Sequence, residues 1–157
     1  MKISGMALIF FSALIFAYRR NRRVDERLSI LREIEAFIKQ IRTDIGCYLK
    51  PIGEIRSSSP RLLELGFFSD IEKYGVEIAY SMLEEKLFLR EKEKGAFKRY
   101  FSSLGKGYAE DEIKLTDATL LELSDIVKEG TTEAPKEKKL TLTLSVSAAL
   151  ALIILLI

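Results

Sequence analysis

The side chains that most often carry out catalysis are scarce in this chain of 157 residues. The chain has no histidine, the commonest general base and metal ligand in proteins, and a single cysteine, Cys47. A cysteine without a histidine to activate it is a poor nucleophile. One cysteine can form neither an intramolecular disulfide nor a zinc site built from cysteines. We therefore predict that Cys47 packs near the end of a helix and that the chain has no catalytic residue.

Two short segments carry residue types that hold ligands in other proteins. Gly105-Lys106-Gly107 is too short for a phosphate-binding loop, and no strand is predicted before it. Three acidic residues, Glu110, Asp111 and Glu112, crowd one turn, where the start of a helix favours negative charge without a metal ion. The P-loop, GxSxG, HExxH and CxxC motifs do not occur. The sequence thus predicts a protein that is not an enzyme and that binds no metal or cofactor.

The composition points to separate apolar blocks, because 48% hydrophobic and 31% charged residues would conflict in one soluble core. Residues 3–18 carry no charge and would span about 24 Å as a helix, and Leu140–Ile157 would span about 27 Å. A bilayer core is about 30 Å thick, so both ends are predicted to be transmembrane anchors, at residues 1–18 and 140–157. The net charge of +2, with basic and acidic residues interleaved, does not suggest nucleic-acid binding.

Each end has an alternative interpretation. A cleavable signal peptide also contains an apolar run, but its cleavage site needs small uncharged residues where this chain has arginines. The alternation of Leu and Thr after Leu140 is typical of a strand, but a lone strand in lipid would leave its backbone groups unpaired, so a helix is favoured. In a helix, Thr143, Ser147 and Ala151 form a row of small residues that either packs on another transmembrane helix or arises by chance.

Basic clusters on the inner side of both ends set the expected topology. Arginines at 19, 20, 22 and 23 follow the first apolar run, and lysines at 136, 138 and 139 precede the second. Because basic residues stay on the cytoplasmic side of a membrane, the chain is predicted to be a multi-pass hairpin in the lipid bilayer. The region between the anchors is then expected in the cytoplasm.

The region between the anchors is predicted to be all-α. Residues 19–130 are expected to form a bundle of about five to six helices, and residues 131–139 a linker to the second anchor. The longest helix carries an apolar residue at every third or fourth position, namely Val24, Leu28, Leu31, Ile34, Ile38, Ile41, Ile45 and Tyr48. We expect this stripe to pack inside the bundle, with a coiled-coil partner as the alternative.

Turn residues divide the rest of the bundle. A turn-rich stretch is expected at residues 50–60, with further breaks at Gly66 and Gly75 and a helix end at Gly105 and Gly107. The predicted helices begin near Pro60 and then run from Val76 to Leu89, from Glu91 to Leu104 and from Glu110 to Lys128. In the second of these, the apolar residues assigned to the inner face are Ile78, Met82, Leu83 and Leu87.

The order of these parts resembles the stage III sporulation protein AB family of endospore-forming bacteria. The matching features are Tyr18-Arg19-Arg20, the run LSILREIEAFIKQIRTDIGCYLKPIGEI from Leu28 to Ile55, the aromatic helix from Phe97 to Leu104-Gly105, and the apolar tail. The family's Thr-Glu-Ile-x-Tyr segment is represented by Thr43-Asp44-Ile45 and Tyr48, and its Thr-Pro-Leu turn by residues 49–52. The chain departs from the family in having Gly107-Tyr108 and Glu112 where Ser-Asp and Gln are usual, and Ser and Ala rather than Gly in the tail.

The resemblance implies a domain similar to the cytoplasmic domain of type II secretion and type IV pilus platform proteins. It also implies a place in the channel complex that joins mother cell and forespore. The expected location is the outer forespore membrane, with the soluble domain in the mother-cell cytoplasm. The implied partners are other stage III sporulation channel proteins, including an ATPase, stage III sporulation protein AA.

Two functions are therefore considered. The first is a non-enzymatic platform that docks channel subunits and the ATPase. The second is a membrane-tethered regulatory or sensory module that acts as a coiled-coil dimer. A homo-oligomer is possible under either function. The candidate contacts lie on the long helix and at the Leu-Gly turn: Arg27, Arg32, Arg42, Leu104, Gly105, Gly107, Tyr108 and Glu112.

Overall fold

The computed structural model describes residues 2–48 and 59–156, and these residues form α-helices joined by turns. The helices are α1 (Lys2–Thr43), which continues as a π-helix (Asp44–Tyr48), α2 (Pro60–Glu64), α3 (Phe67–Tyr74), α4 (Val76–Glu84), α5 (Glu91–Ser103) and α6 (Ala109–Leu156). No strand occurs in these two stretches, so the all-α prediction is confirmed for them. The chain divides into two compact units, Arg27–Lys128 and the paired ends Met1–Glu26 and Glu129–Ile157.

The apolar stripe of α1 is buried within the chain itself. Its described members, from Val24 to Ile45, are all buried, and Leu31, Ile38 and Ile41 have no exposed surface. This outcome confirms the prediction of core packing, because a helix side that recurs every three or four residues faces one direction. The side chains of Cys47 and Tyr48 lie outside the described residues, so the packing of Cys47 stays a prediction. Residues 50–58 of the predicted turn-rich stretch also lie outside them.

Two glycines divide the middle of the bundle into short helices. Gly66 has φ of +78° between α2 and α3, and Gly75 has φ of +83° between α3 and α4. A side chain would strain the backbone in this left-handed region, which is why glycine occupies both turns. The breaks predicted at these two positions are therefore confirmed.

The core of the unit Arg27–Lys128 is built around the ring of Phe37. The Phe37 centroid lies 5.8 Å from that of Phe67 and 5.3 Å from that of Phe68, both with edge-to-face geometry. Phe101 stacks at 6.5 Å from Phe37 and at 5.0 Å from Tyr80. Such aromatic pairs add to the free energy gained by burying their area, so α1, α3, α4 and α5 are held together at one point.

Two buried tyrosines tie neighbouring helices through their hydroxyl groups. Tyr80 of α4 donates to the Lys94 carbonyl of α5 at 3.3 Å, and Tyr100 of α5 lies 3.2 Å from the hydroxyl of Thr116 on α6. Thr116 in turn donates to the carbonyl of Glu112 at 2.7 Å. Burial raises the pKa of both tyrosines well above the usual value, so they stay protonated and able to donate.

Helix α4 is shorter than predicted and is rotated relative to the predicted inner face. It ends at Glu84 rather than Leu89, and Ile78 and Met82 are 52% and 39% exposed. Leu83 and Leu87 are buried as predicted, and Ala79 and Tyr80 take the buried positions expected for Ile78 and Met82. Apolar residues surround this helix on most sides, so periodicity alone did not decide its orientation, and the large Tyr80 ring occupies the core.

Helix α6 runs without interruption from Ala109 to Leu156, so the linker predicted at residues 131–139 is wrong as a structural break. It contains Pro135, which lacks the N–H that would donate to the preceding turn and normally kinks or ends a helix. Gly130 and Pro135 each disfavour a helix, but the good helix formers around them keep α6 continuous. Among the described residues, this helix is the one long and apolar enough to cross a membrane.

The two ends of the chain form an antiparallel pair of helices. Lys138 donates to the Asp25 carboxylate, and Ala17, Ala134 and Ala149 are buried in this unit. The two helices run in opposite directions, since Asp25 contacts Lys138, Phe16 and Arg20 line a cavity with residues 137–145, and Leu8 and Phe16 line one with residues 144–152. The predicted row of Thr143, Ser147 and Ala151 is exposed, so it is not the face that packs within the chain.

Candidate partner-contact site

The turn between α5 and α6, residues 104–108, is held by one buried carboxylate, and we call it the Tyr108 loop. Glu112 is 5% exposed, and its Oε1 atom accepts the backbone N–H of Gly105 at 3.0 Å and of Gly107 at 2.8 Å. Gly105 has φ of +82°, which a residue with a side chain adopts only under strain. A Cβ at Gly107 would lie 3.4 Å from the same Oε1 atom. The two glycines therefore let the loop close tightly on Glu112.

The Tyr108 loop presents an aromatic side chain to the outside. Tyr108 is 85% exposed, whereas Leu104, at the other end of the loop, is buried. Lys106, between them, donates to the Glu77 carboxylate of α4 at 3.2 Å. A large exposed aromatic residue on an anchored loop loses little conformational entropy on binding, which is a property of contact residues at interfaces.

The structure separates the candidate residues of this loop by role. Four of them determine the shape of the loop: the buried Leu104 and Glu112, and the two glycines that donate to Glu112, Gly105 and Gly107. Tyr108 is exposed and therefore available to a partner. The role of these residues as partner contacts stays a prediction, and the expectation that the acidic turn is solvated is wrong for Glu112, which is buried. A carboxylate a few residues after a glycine turn is the signal that could have suggested an anchor for the loop.

Arg27 is not part of an exposed surface, contrary to the sequence expectation for its helix face. It is 7% exposed, and its Nε atom lies 3.7 Å from Oε1 of Glu93, which is also buried. The other oxygen of Glu93 accepts the N–H of Arg90 at 2.8 Å and caps α5. Arg27 therefore joins α1 to the start of α5.

Arg32 and Arg42 do lie on the exposed side of α1. Arg42 forms a two-point contact with Asp117 of α6, at 2.7 Å and 3.3 Å. The hydrogen bond from Arg42 holds the pKa of Asp117 below its usual value. Because both side chains are about half exposed, the pair joins two helices without closing the surface to a partner.

A second exposed feature, missed by the sequence analysis, lies along α4 and α5. A groove of about 270 Å³ is lined by residues that include Ile78, Tyr80, Lys98 and Phe101. Periodicity had assigned Ile78 to the core, so this surface could not be predicted. No group of three His, Cys, Asp or Glu residues that could hold a metal ion is found in the part of the chain that the structure describes.

Comparison with known proteins identifies the family. The sequence model of stage III sporulation protein AB matches residues 73–157, more than half of the chain, including α4, α5, the Tyr108 loop and α6. No curated protein and no solved structure gives a significant match, so the likeness to type II secretion platform proteins stays a prediction. The matched family is a sporulation family and not a known family of enzymes. The chain belongs to the stage III sporulation protein AB family.

Proposed function

We propose that the protein is a non-enzymatic membrane platform of the channel between mother cell and forespore, anchored by both ends. Its domain would lie in the mother-cell cytoplasm, where it docks channel subunits and an ATPase. Family membership supports a role among the other stage III sporulation proteins. The observation that carries the platform role is the Tyr108 loop, which is fixed from beneath by Glu112 and carries an exposed aromatic side chain.

Two features support anchoring by both ends. The apolar end of α6 is long enough to cross a bilayer, and the uncharged first run of α1 pairs with it in the opposite direction. Seven basic residues follow the first run or precede the second, on the side of the domain. Basic residues next to membrane spans remain cytoplasmic, which supports the proposed orientation.

The alternative of a coiled-coil sensory dimer would need a free apolar seam on α1. The stripe from Val24 to Ile45 is buried within the chain itself, so it offers no such seam. This burial favours the platform over the dimer. We expect the purified protein to give no parallel crosslinks between two copies of this stripe.

The orientation can be tested with single cysteines, because Cys47 is the only native one. In a Cys47→Ser background, a cysteine at exposed Ser124 should react with a membrane-impermeant maleimide only after the membrane is permeabilised. A cysteine in a short hydrophilic tag placed before Met1 should react in intact cells. Labelling of both positions from the same side would contradict the hairpin.

Docking can be tested by placing a photo-crosslinking amino acid at Tyr108 in sporulating cells. The expected products contain the ATPase or a channel subunit. Tyr74, which is also exposed but lies on α3, serves as the matched position. Truncation of a hot-spot aromatic at an interface costs about 2 kcal/mol or more, so Tyr108→Ala should weaken partner binding about 30-fold, and Tyr74→Ala should not. Equal effects at both positions, or a chain that crosslinks to nothing, would overturn the docking role.

A further inference from the structure

The paired ends of the chain enclose a groove that is open on one side. Two cavities, of about 570 Å³ and 240 Å³, have Phe16, Leu144 and Ser145 in both of their linings and therefore adjoin each other. We call the two together the end groove. Its wider part has an almost wholly apolar lining, which includes Leu8, Ser12, Ala148 and Leu152.

A positive charge lies at one end of the end groove. Arg20 lines the narrower cavity together with Phe16 and Leu140. Within the part of the chain that the structure describes, Arg20 has no ion-pair partner. Glu137 lines the same end, but it already interacts within the chain. Residues 19–26 and 136–139 together contain seven basic and three acidic residues, so the net charge of this end of the groove is positive.

The end groove has the length and polarity of one lipid molecule. From Leu8 to Arg20 a helix rises about 18 Å, while one leaflet of a bilayer's hydrocarbon core is about 15 Å thick. An acyl chain would contact the apolar walls, and a phosphate would lie at the guanidinium of Arg20. Basic pockets between transmembrane helices bind anionic headgroups in this way.

We propose that the end groove binds an anionic phospholipid, with its phosphate at Arg20 and an acyl chain along Phe16, Leu144 and Ala148. The observation that favours this occupant over a transmembrane helix is Arg20, which lines one end of the groove and has no ion-pair partner among the described residues. The proposal depends on the membrane anchoring described above. It goes beyond that function because it assigns a specific lipid class to a specific site.

The test uses the full-length protein in phosphatidylcholine nanodiscs with and without phosphatidylglycerol. Spin-labelled phosphatidylglycerol and phosphatidylcholine report the fraction of each lipid that the protein immobilises. The wild type should immobilise the anionic lipid preferentially. Arg20→Gln should weaken this preference about fivefold, the effect of one basic contact at a membrane surface, whereas the neighbouring Arg19→Gln should change it little.

A second pair of variants tests the apolar part. Ala148→Phe fills the end groove from its open side, and Ala151→Phe adds the same ring on an exposed position that does not line it. The first should reduce immobilisation of both lipids, and the second should not. Circular dichroism of all four variants checks that the helical content is unchanged.

Several results would overturn the lipid site. Equal losses in Arg20→Gln and Arg19→Gln would mean general surface attraction, and displacement of the lipid by free glycerol phosphate would mean a headgroup site alone. Crosslinking of two copies through the end groove that is lost in Ala148→Phe would mean that a second chain covers it. If the protein fails to enter the nanodiscs, the proposed anchoring itself is wrong, whereas insertion without lipid preference rejects only this inference.

Discussion

Replacement of Glu112 by alanine should loosen the Tyr108 loop and lower the stability of the domain. The variant removes the oxygen that accepts the N–H groups of Gly105 and Gly107 at 3.0 and 2.8 Å. A hydrogen bond to a charged group contributes about 1.5–3 kcal/mol. Both glycines are exposed, so in the variant water can bond to their N–H groups and recover part of the lost free energy. We therefore take about 1 kcal/mol for each lost bond.

One opposing contribution reduces the expected loss. The second carboxylate oxygen of Glu112 is buried and accepts no hydrogen bond, so its removal relieves a desolvation cost of about 1 kcal/mol. The net destabilisation by Glu112→Ala is then about 1 kcal/mol. For a unit of this size, each kcal/mol lowers the melting temperature by about 4–8 °C. Glu112→Gln keeps an acceptor oxygen without the charge and should cost about half as much.

Hydrogen exchange on the full-length protein in mild detergent measures this effect at the loop itself. The amides of Gly105 and Gly107 should exchange about fivefold faster in Glu112→Ala, because about 1 kcal/mol corresponds to a factor of about five. Asp111→Ala serves as the control, since Asp111 is exposed and adjacent to Glu112. If loop exchange and melting temperature in Glu112→Ala equal those of the wild type, the reasoning that Glu112 anchors the loop is refuted.

Three further predictions concern the packing of the domain. Phe37→Ala should destabilise the protein by about 3–5 kcal/mol in thermal unfolding, because the ring is fully buried; a loss below 1 kcal/mol would argue against the aromatic core. Arg27→Met should cost about 3–5 kcal/mol by leaving Glu93 as an uncompensated buried charge, which a denaturant titration can measure, and no loss would show that the pair is not formed. Asp117, whose pKa is lowered in the folded state, should stabilise fully above its unfolded pKa of about 4, and this contribution should disappear as the pH falls through the folded value. Asp117→Asn should remove that pH dependence from melting curves, and an unchanged profile would contradict it.

Features that depend on one helix could be predicted from the sequence. The stripe on α1 follows from apolar residues at every third or fourth position, and the breaks at Gly66 and Gly75 follow from the backbone freedom of glycine. An uncharged apolar run likewise indicated a membrane span at the end of α6, which is long and apolar enough for one, while the anchor at the first run stays a prediction. In each case a local pattern carries the physical cause, so no knowledge of neighbouring elements was needed.

The tertiary structure decided the features that depend on distant residues. Arg27 is buried because Glu93, far along the chain, lies beside it, and Glu112 is buried because two glycine amides close over its carboxylate. The rotation of α4 depends on which apolar side chain best fills the core beside Phe101, and Tyr80 does so while Ile78 remains outside. Helical periodicity gives the faces of a helix, but the choice among several apolar faces, and the pairing of buried charges, depends on packing between elements that the sequence alone does not specify.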